Sequence, residues 1–534
     1  MIKKLFNARI NSITSAALIL AIAALASKLL GLYRDRILAG TFGLGNELDI
    51  YYASFRVPDL IFNIVVLGAI SAGFIPVFAK LISQKKEKEA FKTANAILNL
   101  VMVALLFLCL LGIIFAPIIV SFLTPGFSPE NKLLTIKLTR IMFLSPVFLL
   151  MSSITGGILQ SYQRFFIYSL SPIMYNLGII VGALYFAPIW GIQGLAWGVV
   201  LGSFLHFVVQ LPIIRKLGFN YQLILDLKDS GARKIIRMMI PRTLTLMTMQ
   251  LNLIIITIIA STLSAGSLSA FNIANNLQSF PLGLFAISFA VASFPTLSSL
   301  SENKKEFAKN LTTTTKQILF FIIPISILLV VLRAQIVRTI FGTGEIGWKE
   351  TTMLLDAVAI FSLSLFAQGV IPLFSRAFWA LHDAKTPFLT SLASVIINIF
   401  LAFYLSAQYG ITGLVGAFSI SAIINALLLY HLINKKTDFI CHTRIFKPII
   451  KISFASIIAG FLSYKTLYFI EPFLNTGTGI GIFMQGLIAG IVGLAFYCIL
   501  SWNLEIDEFI IFKNSIQRRL FKTKIETTEI ITED

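Results

Sequence analysis

Residues 93–122 read TANAILNLVMVALLFLCLLGIIFAPIIVSF, without one aspartate, glutamate, lysine or arginine. An α-helix rises about 1.5 Å per residue, so about 20 apolar residues cross the roughly 30 Å hydrocarbon core of a membrane. Outward from this stretch, similar apolar runs recur along all 534 residues, and the chain is 57% hydrophobic and 13% charged. A soluble domain carries about 25% charged residues. The sequence therefore predicts an all-α, polytopic membrane protein.

Fourteen candidate spans can be placed. The first six lie near residues 11–33, 47–80, 93–122, 133–160, 166–188 and 192–214. The next six lie near 239–264, 267–298, 316–341, 352–380, 387–408 and 411–433, and two more lie near 448–469 and 479–502. Spans 2, 8 and 10 are longer than one crossing needs. We expect span 2 to break at Pro58 and Gly68, span 8 at Pro281 and span 10 at Pro372. Such breaks are tolerated in a membrane where the backbone lines a cavity or packs on protein.

Lysine and arginine are concentrated in alternate linkers. The linker after span 2 holds Lys80, Lys85, Lys86, Lys88 and Lys92, whereas the linkers near 187–191, 264–267, 408–411 and 470–478 hold no lysine or arginine. Basic linkers stay on the cytoplasmic side, which predicts that both termini are cytoplasmic. Because the basic residues lie between apolar runs, the net charge of +19 does not indicate a nucleic-acid partner.

An internal repeat relates the two halves of the chain. Residues 191–195 (GIQGL) match residues 410–414 (GITGL), and Pro76 matches Pro295, each 219 positions apart. This spacing predicts two parallel six-helix repeats, which place a substrate between two bundles that rock to alternate access. The predicted domains are an N-lobe at 1–232, a C-lobe at 233–440, spans 13 and 14 at 441–503, and a basic, then acidic, cytoplasmic tail at 504–534.

Span 2 carries a polar stripe. At 100° per residue its members fall within an arc of about 80° on one helix face, and they are Asp49, Tyr52, Arg56, Asp59 and Asn63. Ionisable groups within a span are costly and usually face a bundle interior or a water-filled cavity. The alternative is a structural Arg56–Asp59 pair that holds a kinked helix. In span 8 the equivalent positions are Asn275 and Gln278, which keep the polarity without the charge.

Other charges lie around the end of span 1, at Lys28, Arg34, Asp35 and Arg36, and in span 10, at Arg376. Snorkelling to the membrane interface accounts for Arg36. The remaining cations suit an anionic group such as a pyrophosphate, because arginine can fork onto phosphate oxygens. Neither a nucleotide-binding signature nor a metal-ligand spacing occurs, so we expect no bound nucleotide and no metal cofactor.

The stretch SKLLGLYRD at 27–35, continued by Phe42-Gly43, Asp49 and FRVP at 55–58, resembles the signature of the MurJ (MviN) family. Further matches are NNLQSFPLG at 275–283, FPTLS at 294–298 and RAFWAL at 376–381, and the likeness runs from span 1 to span 14. These proteins are bacterial lipid II flippases of the multidrug/oligosaccharidyl-lipid/polysaccharide exporter superfamily.

The resemblance implies two six-helix lobes around a cationic cavity, with spans 13 and 14 forming a groove for a polyprenyl tail. It implies that an undecaprenyl-pyrophosphate-linked peptidoglycan precursor is flipped outward across a bacterial inner membrane. Membrane potential or a monovalent cation gradient, rather than ATP, would drive the transport. Membrane lipids and cell-wall synthesis enzymes are candidate partners, and no enzymatic activity is expected.

The family's functional positions are partly kept. Its first-span arginines fall on Lys28 and Arg34, its second-span arginine position is Phe62, and its Ala-Asp-Arg-Leu pattern reads ANNL at 274–277. We therefore expect Arg34, Arg56 and Arg376 to carry more of the pyrophosphate binding. The predicted substrate-binding set is Lys28, Arg34, Asp35, Asp49, Arg56, Asp59, Asn275, Asn276 and Arg376.

Other functions stay open at this point. A flippase for another polyprenyl-linked glycan is the nearest alternative, because the missing arginines could reflect a different headgroup. A cation-coupled drug antiporter would need neither spans 13 and 14 nor a cationic excess. A membrane glycosyltransferase or ligase would need catalytic groups on a sizeable external loop, and every linker here is short. A structural scaffold would not retain charges within its spans.

Overall fold

The computed structural model describes residues 13–67, 73–226, 230–342, 346–437 and 442–521. Helices dominate these residues, which include short turns and a few π-helical or 3-10 segments but no strand. This confirms the predicted all-α class.

The helices follow the predicted spans closely. The first six are α1 (Ile13–Phe42), α2 (Asn46–Phe62, with π-helical Asn63–Leu67 and later Ile75–Ser83), α3 (Glu87–Leu123), α4 (Pro129–Ser161), α5 (Phe165–Trp190) and α6 (Ile192–Lys216). The next six are α7 (Ser230–Ser261), α8 (Ser267–Ser299), α9 (Lys304–Val331, then Arg333–Phe341), α10 (Trp348–Leu363 and Leu365–Ala380), α11 (385–409) and α12 (411–437). The last three are α13 (His442–Ile470), α14 (Gly479–Asn503) and α15 (Asp507–Phe521).

Many of these helices can cross a membrane. In the part of the chain that the structure describes, nine helical runs are long and apolar enough, and the two halves of α10, bent by 48°, would make a tenth. One of the nine, Lys385–Thr437, contains both α11 and α12. Helices α1, α2 and α7 occupy the remaining predicted spans. The protein is therefore a multi-pass membrane protein.

The backbone repeats at the same 219-residue interval as the sequence. Gly191 and Gly410 both have a φ of 58°, where α5 meets α6 and where α11 meets α12. Gln163 and His382, in the preceding turns, have φ values of 60° and 58°. Positive φ is rare for a residue with a side chain. Equivalent positions in the two repeats thus adopt the same uncommon conformations.

Two interruptions of the helices also recur. Segments of π-helix occupy Asn63–Leu67 in α2 and Leu282–Ile287 in α8. Helix α4 is interrupted after Met142, and α10 is bent at Ser364, which has a φ of −100° and a ψ of 0°. The expected break of α10 at Pro372 is wrong, because Pro372 lies inside a continuous helix and the bend comes two turns earlier, where Ser364 leaves the helical region.

The described residues pack as two compact units. The first consists of the described residues within Met1–Leu277, Ile340–Ala357 and Ser391–Ser421, and the second of those within Gln278–Thr339, Val358–Thr390 and Ala422–Asp534. Each unit has its own apolar core: the first includes Phe74, Phe78 and Phe143, and the second includes Phe307, Phe374 and Phe378. These units reflect packing rather than sequence repetition, so the predicted lobe boundaries stay a prediction.

Helices α5 and α6 approach each other closely in the first unit. A side chain on Gly182 would meet the Cα atom of Gly198, and a side chain on Gly178 would meet backbone atoms of Gly202. Small residues at such spacing let two membrane helices bring their backbones together. This contact holds α5, the helix that contributes Asn176 to the buried polar cluster described below.

An ion pair fixes one turn of the second unit. Lys436 Nζ lies 2.7 Å from Asp383 Oδ2, and the Thr386 backbone N–H donates to Asp383 Oδ1 at 3.0 Å. Burial raises the pKa of the Asp383 carboxyl, but the hydrogen bonds from Lys436 and Thr386 outweigh burial and hold the pKa at about 2. The pair therefore stays ionised at neutral pH and ties the turn between α10 and α11 to the end of α12.

Gly410→Ala should destabilise the protein by about 1–3 kcal/mol, because its φ of 58° and ψ of −133° strain any residue with a Cβ atom. Gly416→Ala is the matched control, since Gly416 lies in the adjacent helix and an added Cβ at either glycine meets nothing within 4 Å. Thermal unfolding of the detergent-purified variants measures the difference. Equal loss of stability in both variants would contradict the assigned strain.

Candidate functional site

A buried ion pair lies in α1, inside the first unit. Arg34 donates from Nε and Nη2 to Asp35 Oδ1, at 3.0 and 2.7 Å. The Arg34 side chain is 19% exposed and that of Asp35 is 1% exposed. Charges buried in an apolar medium persist only when they are paired and hydrogen-bonded. The two buried charges therefore stabilise each other within α1.

Two asparagines from other helices complete the pair. Arg34 Nη1 donates to Asn176 Oδ1 of α5 at 3.0 Å, and Asn276 Nδ2 of α8 donates to Asp35 Oδ2 at 2.9 Å. Asn176 is itself held by its donation to the Pro172 carbonyl at 3.0 Å. This cluster, Arg34, Asp35, Asn176 and Asn276, links α1, α5 and α8.

Helix α1 extends beyond the predicted span 1. Span 1 was predicted to end near residue 33, which placed Arg34 and Asp35 at its end, but α1 continues to Phe42. Leu38 and Ala39, in the additional turns, are 1% and 0% exposed. Arg34 and Asp35 therefore pair with each other within the helix rather than at its end.

Arg56 of α2 makes contacts with two other helices. Its Nε donates to Thr257 Oγ1 of α7 at 2.8 Å, and its Nη2 donates to Asn272 Oδ1 of α8 at 2.7 Å. The alternative of an Arg56–Asp59 pair is not found, since no ion pair within 4.0 Å among the described residues joins these two side chains. Arg56 thus ties α2 to α7 and α8.

Asp59 lies one turn after Arg56 and is half-buried. Its charge acts on Arg56, and Tyr51 of the same helix and Tyr175 of α5 lie within electrostatic range of it. Its side chain accepts no hydrogen bond from any other described residue. Among the acidic side chains predicted for the site, Asp59 is thus the one that no hydrogen bond from the described residues holds.

Asp49 has a structural role in this conformation. Its two oxygens accept from the backbone N–H groups of Gly266 and Ser269, at 2.8 and 2.7 Å, and the side chain is 2% exposed. These N–H groups begin α8, where the helix dipole favours a negative charge. Asp49 was predicted to bind substrate, but here both of its oxygens cap a helix.

The other predicted site residues are not part of the cluster formed by Arg34, Asp35, Asn176 and Asn276. Lys28 of α1 and Asn275 of α8 are half-buried in the first unit. Arg376 is half-buried in the second unit, where it donates to the Pro372 carbonyl of its own helix at 3.1 Å and lies over Trp379. The predicted site residues other than Arg376 belong to the first unit.

Sequence reasoning missed the three side chains that hold the arginines: Asn176, Thr257 and Asn272. Each is a polar residue within an apolar span, which is the only signal that could have indicated them. Nothing in the local sequence indicates that Asn176 contacts Arg34, which lies 142 residues away along the chain.

The charges of this region are nearly balanced. Arg34 is paired with Asp35, and Arg56 lies near Asp59, so the region around these two arginines carries less net positive charge than the arginines alone would give it. In the described chain no group of three or more histidine, cysteine, aspartate or glutamate residues could hold a metal ion. The arrangement can bind a group that carries charges of both signs.

The repeated helices and the polar cluster within them define a class of protein, the multi-pass helical membrane proteins built from two related halves. A solved structure, the inward-facing conformation of a multidrug resistance MATE family transporter of the MOP superfamily, matches with a TM-score of 0.64 at 16% identity, over 78% of this chain and 98% of that chain. At this identity the match concerns the fold alone.

Closer relatives define the family. The family model described as lipid II flippase MurJ matches residues 38–487, so the chain belongs to the MurJ family. A probable lipid II flippase MurJ of Buchnera aphidicola subsp. Acyrthosiphon pisum is 29% identical, over 90% of this chain and 96% of its own length. The solved lipid II flippase MurJ in an inward closed conformation matches with a TM-score of 0.75 at 27% identity, over 91% of this chain and 99% of that chain.

Asp49→Ala should lower the free energy of unfolding by about 1–2 kcal/mol, because two N–H groups at the start of α8 lose their acceptor. Glu47→Ala is the control, since Glu47 is exposed in the same helical turn. Thermal unfolding in detergent measures both variants. Unchanged stability of Asp49→Ala would show that the cap contributes little.

Proposed function

We propose that this protein flips lipid II, the undecaprenyl-pyrophosphate-linked peptidoglycan precursor, from the inner to the outer leaflet by alternating access. The observation that carries the proposal is the family match over residues 38–487, in a chain whose α1, α2 and α8 contribute buried charged and amide side chains. The protein acts as a transporter and not as an enzyme.

Arg34 and Arg56 supply the cationic contacts for the pyrophosphate. Each guanidinium carries five N–H donors, and the protein groups described above do not occupy them all. Asp35, Asn276 and Asn176 orient Arg34, while Thr257 and Asn272 orient Arg56. Arginine held in this way can fork onto phosphate oxygens with little loss of side-chain entropy. Lys28 and Arg376 add longer-range attraction.

The π-helical segments of α2 and α8 are the proposed flexible points for alternating access. A π segment inserts a residue into the helical hydrogen-bond ladder and is often found at functional sites. Both segments follow the polar part of their helix, at Asn63–Leu67 and Leu282–Ile287. Bending at these segments would move one end of a helix while Arg56 or Asn276 stays in place.

The proposed setting is a bacterial inner membrane, with both termini in the cytoplasm. The basic linkers support this orientation. Exposed aromatic rings at Trp190, Tyr409 and Tyr468 lie beside the linkers without lysine or arginine, as expected for a membrane interface. Membrane potential or a monovalent cation drives transport in this proposal, and α13 and α14 hold the polyprenyl tail. Cell-wall synthesis enzymes would supply and consume the substrate.

One observation favours a second candidate, a flippase for another polyprenyl-linked glycan. Asn276 and Phe62 occupy positions where the family resemblance implies arginine, and Asn276 donates to Asp35 rather than adding a cation. A headgroup with a different charge could account for this change.

Complementation distinguishes the two candidates. Cells depleted of their own lipid II flippase would receive this gene, and the outward appearance of lipid II would be measured. Rescue supports lipid II as substrate. Absence of rescue, with normal amounts of the protein in the membrane, favours another lipid-linked glycan.

Arg34→Ala should abolish rescue and lower the flipping rate by about tenfold or more. Asp35 would be left as an uncompensated buried charge, and the pyrophosphate would lose a contact. Arg36→Ala, two residues along the same helix, should keep rescue. Membrane levels of both variants are measured by immunoblot. Equal tolerance of the two substitutions would be incompatible with the assigned role of Arg34.

A further inference from the structure

Asp59 is an acidic side chain in the middle of α2 for which the flipping of a pyrophosphate has no evident use. An anionic substrate would be repelled by it. It lies between Pro58, which is buried, and the π segment that begins at Asn63, and its own side chain is half-buried. Its backbone carbonyl accepts from Asn63 Nδ2 at 2.8 Å, but its carboxylate accepts nothing from the described residues.

The nearest cation does not neutralise Asp59 by contact. Arg56 directs Nε and Nη2 away to Thr257 and Asn272, at 2.8 and 2.7 Å. Its effect on Asp59 is electrostatic and acts over more than the 4.0 Å of an ion pair. By contrast, Asp35 and Asp49 each use both oxygens in hydrogen bonds. Among these three aspartates, Asp59 alone has carboxylate oxygens that accept no hydrogen bond from the described residues.

The surroundings of Asp59 are polar and aromatic. Tyr51 of α2 and Tyr175 of α5 lie within electrostatic range of its carboxylate, and Arg34 lies within the same range of both tyrosines. Phenolic oxygens and aromatic faces both favour a cation. Beside Tyr51, the hydroxyl of Tyr52 is buried without a hydrogen-bond partner within the described chain. The carboxylate, the aromatic rings and an unused hydroxyl thus lie in one part of the first unit.

We propose that Asp59 binds a monovalent cationic group during transport. This proposal rests on the proposed function and deepens it. A carboxylate held within a membrane protein is costly unless a cation or a proton neutralises it, and side chains in such positions mark substrate or ion pathways. The cation has two possible sources: a primary ammonium group on the headgroup of the lipid substrate, or an inorganic cation that is moved with it.

In this proposal the site binds the negative and the positive charge at two different places, whether both charges belong to the substrate or the positive one belongs to an accompanying ion. Arg34, held by Asn176, faces the anionic group, and Asp59, one turn beyond Arg56, takes the cationic group. A headgroup that carries both charges would be fixed in one orientation by these two contacts. A headgroup without the amine would need the inorganic cation to neutralise Asp59.

The test uses purified full-length protein in liposomes and the variant Asp59→Asn, which keeps the size of the side chain and removes its charge. Two substrates are compared: lipid II with a free amine on its peptide, and the same lipid with that amine acetylated. Each is assayed with sodium, with choline in place of sodium, and over pH 5.5–8. Glu47→Gln, an exposed acid-to-amide change in the same helix, is the control.

If the substrate supplies the cation, the original protein flips the free-amine lipid about tenfold faster than the acetylated lipid, and Asp59→Asn flips both equally. If an inorganic cation supplies it, the original protein prefers neither lipid but slows when sodium is replaced or pH is changed, and Asp59→Asn loses that response. A variant with the same amine, sodium and pH responses as the original protein overturns the proposal.

Binding provides the second measurement if Asp59→Asn flips nothing. Thermal stabilisation of the detergent-purified protein by each lipid, and by sodium against choline, must then be weaker in Asp59→Asn than in the original protein and in Glu47→Gln. Equal stabilisation overturns the proposal. Should the original protein flip neither lipid, the proposed function fails, whereas the stabilisation by cations still decides the role of Asp59.

Discussion

The free energy needed to bury an unpaired charge in an apolar medium determines how the polar residues of the first unit are arranged. Arg34 and Asp35 can lie within α1 only because they pair with each other and because Asn176 and Asn276 take up their remaining groups. Satisfying one ion pair therefore requires three helices at fixed distances. The requirement explains why polar residues from distant parts of the sequence meet at this point.

The same constraint gives the aspartates different tasks. Asp49 is neutralised by the N-terminus of α8, Asp35 by an arginine, and Asp59 by no contact with the described protein. The carboxylates of Asp49 and Asp35 hold the fold together through their hydrogen bonds, and the carboxylate of Asp59 is the one proposed to bind a cation. Residue type alone does not distinguish them, since all three lie on apolar helices within 25 positions of one another.

The helices could be predicted because apolar length and basic linkers are local properties, and the repeat added the equivalence of α2 and α8. The candidate site could be predicted only in part. Arg34 and Arg56 were found as charges within spans, but the cap formed by Asp49 depends on Gly266, 217 residues away. Helix α1 continues to Phe42, nine residues beyond the predicted span, and the sequence did not indicate that Arg34 and Asp35 would pair inside it.

The matching backbone exceptions of the two halves bear on the history of the chain. A positive φ at Gly191 and Gly410, and π segments in α2 and α8, are inherited most simply from one ancestral half-length protein that was duplicated. A duplication of this kind starts with two halves of identical sequence. In the present chain the two halves differ at this point, because the positions equivalent to Arg56 and Asp59 in the second half hold the amides Asn275 and Gln278. An asymmetric cargo can then be held one way round, which two identical halves could not enforce.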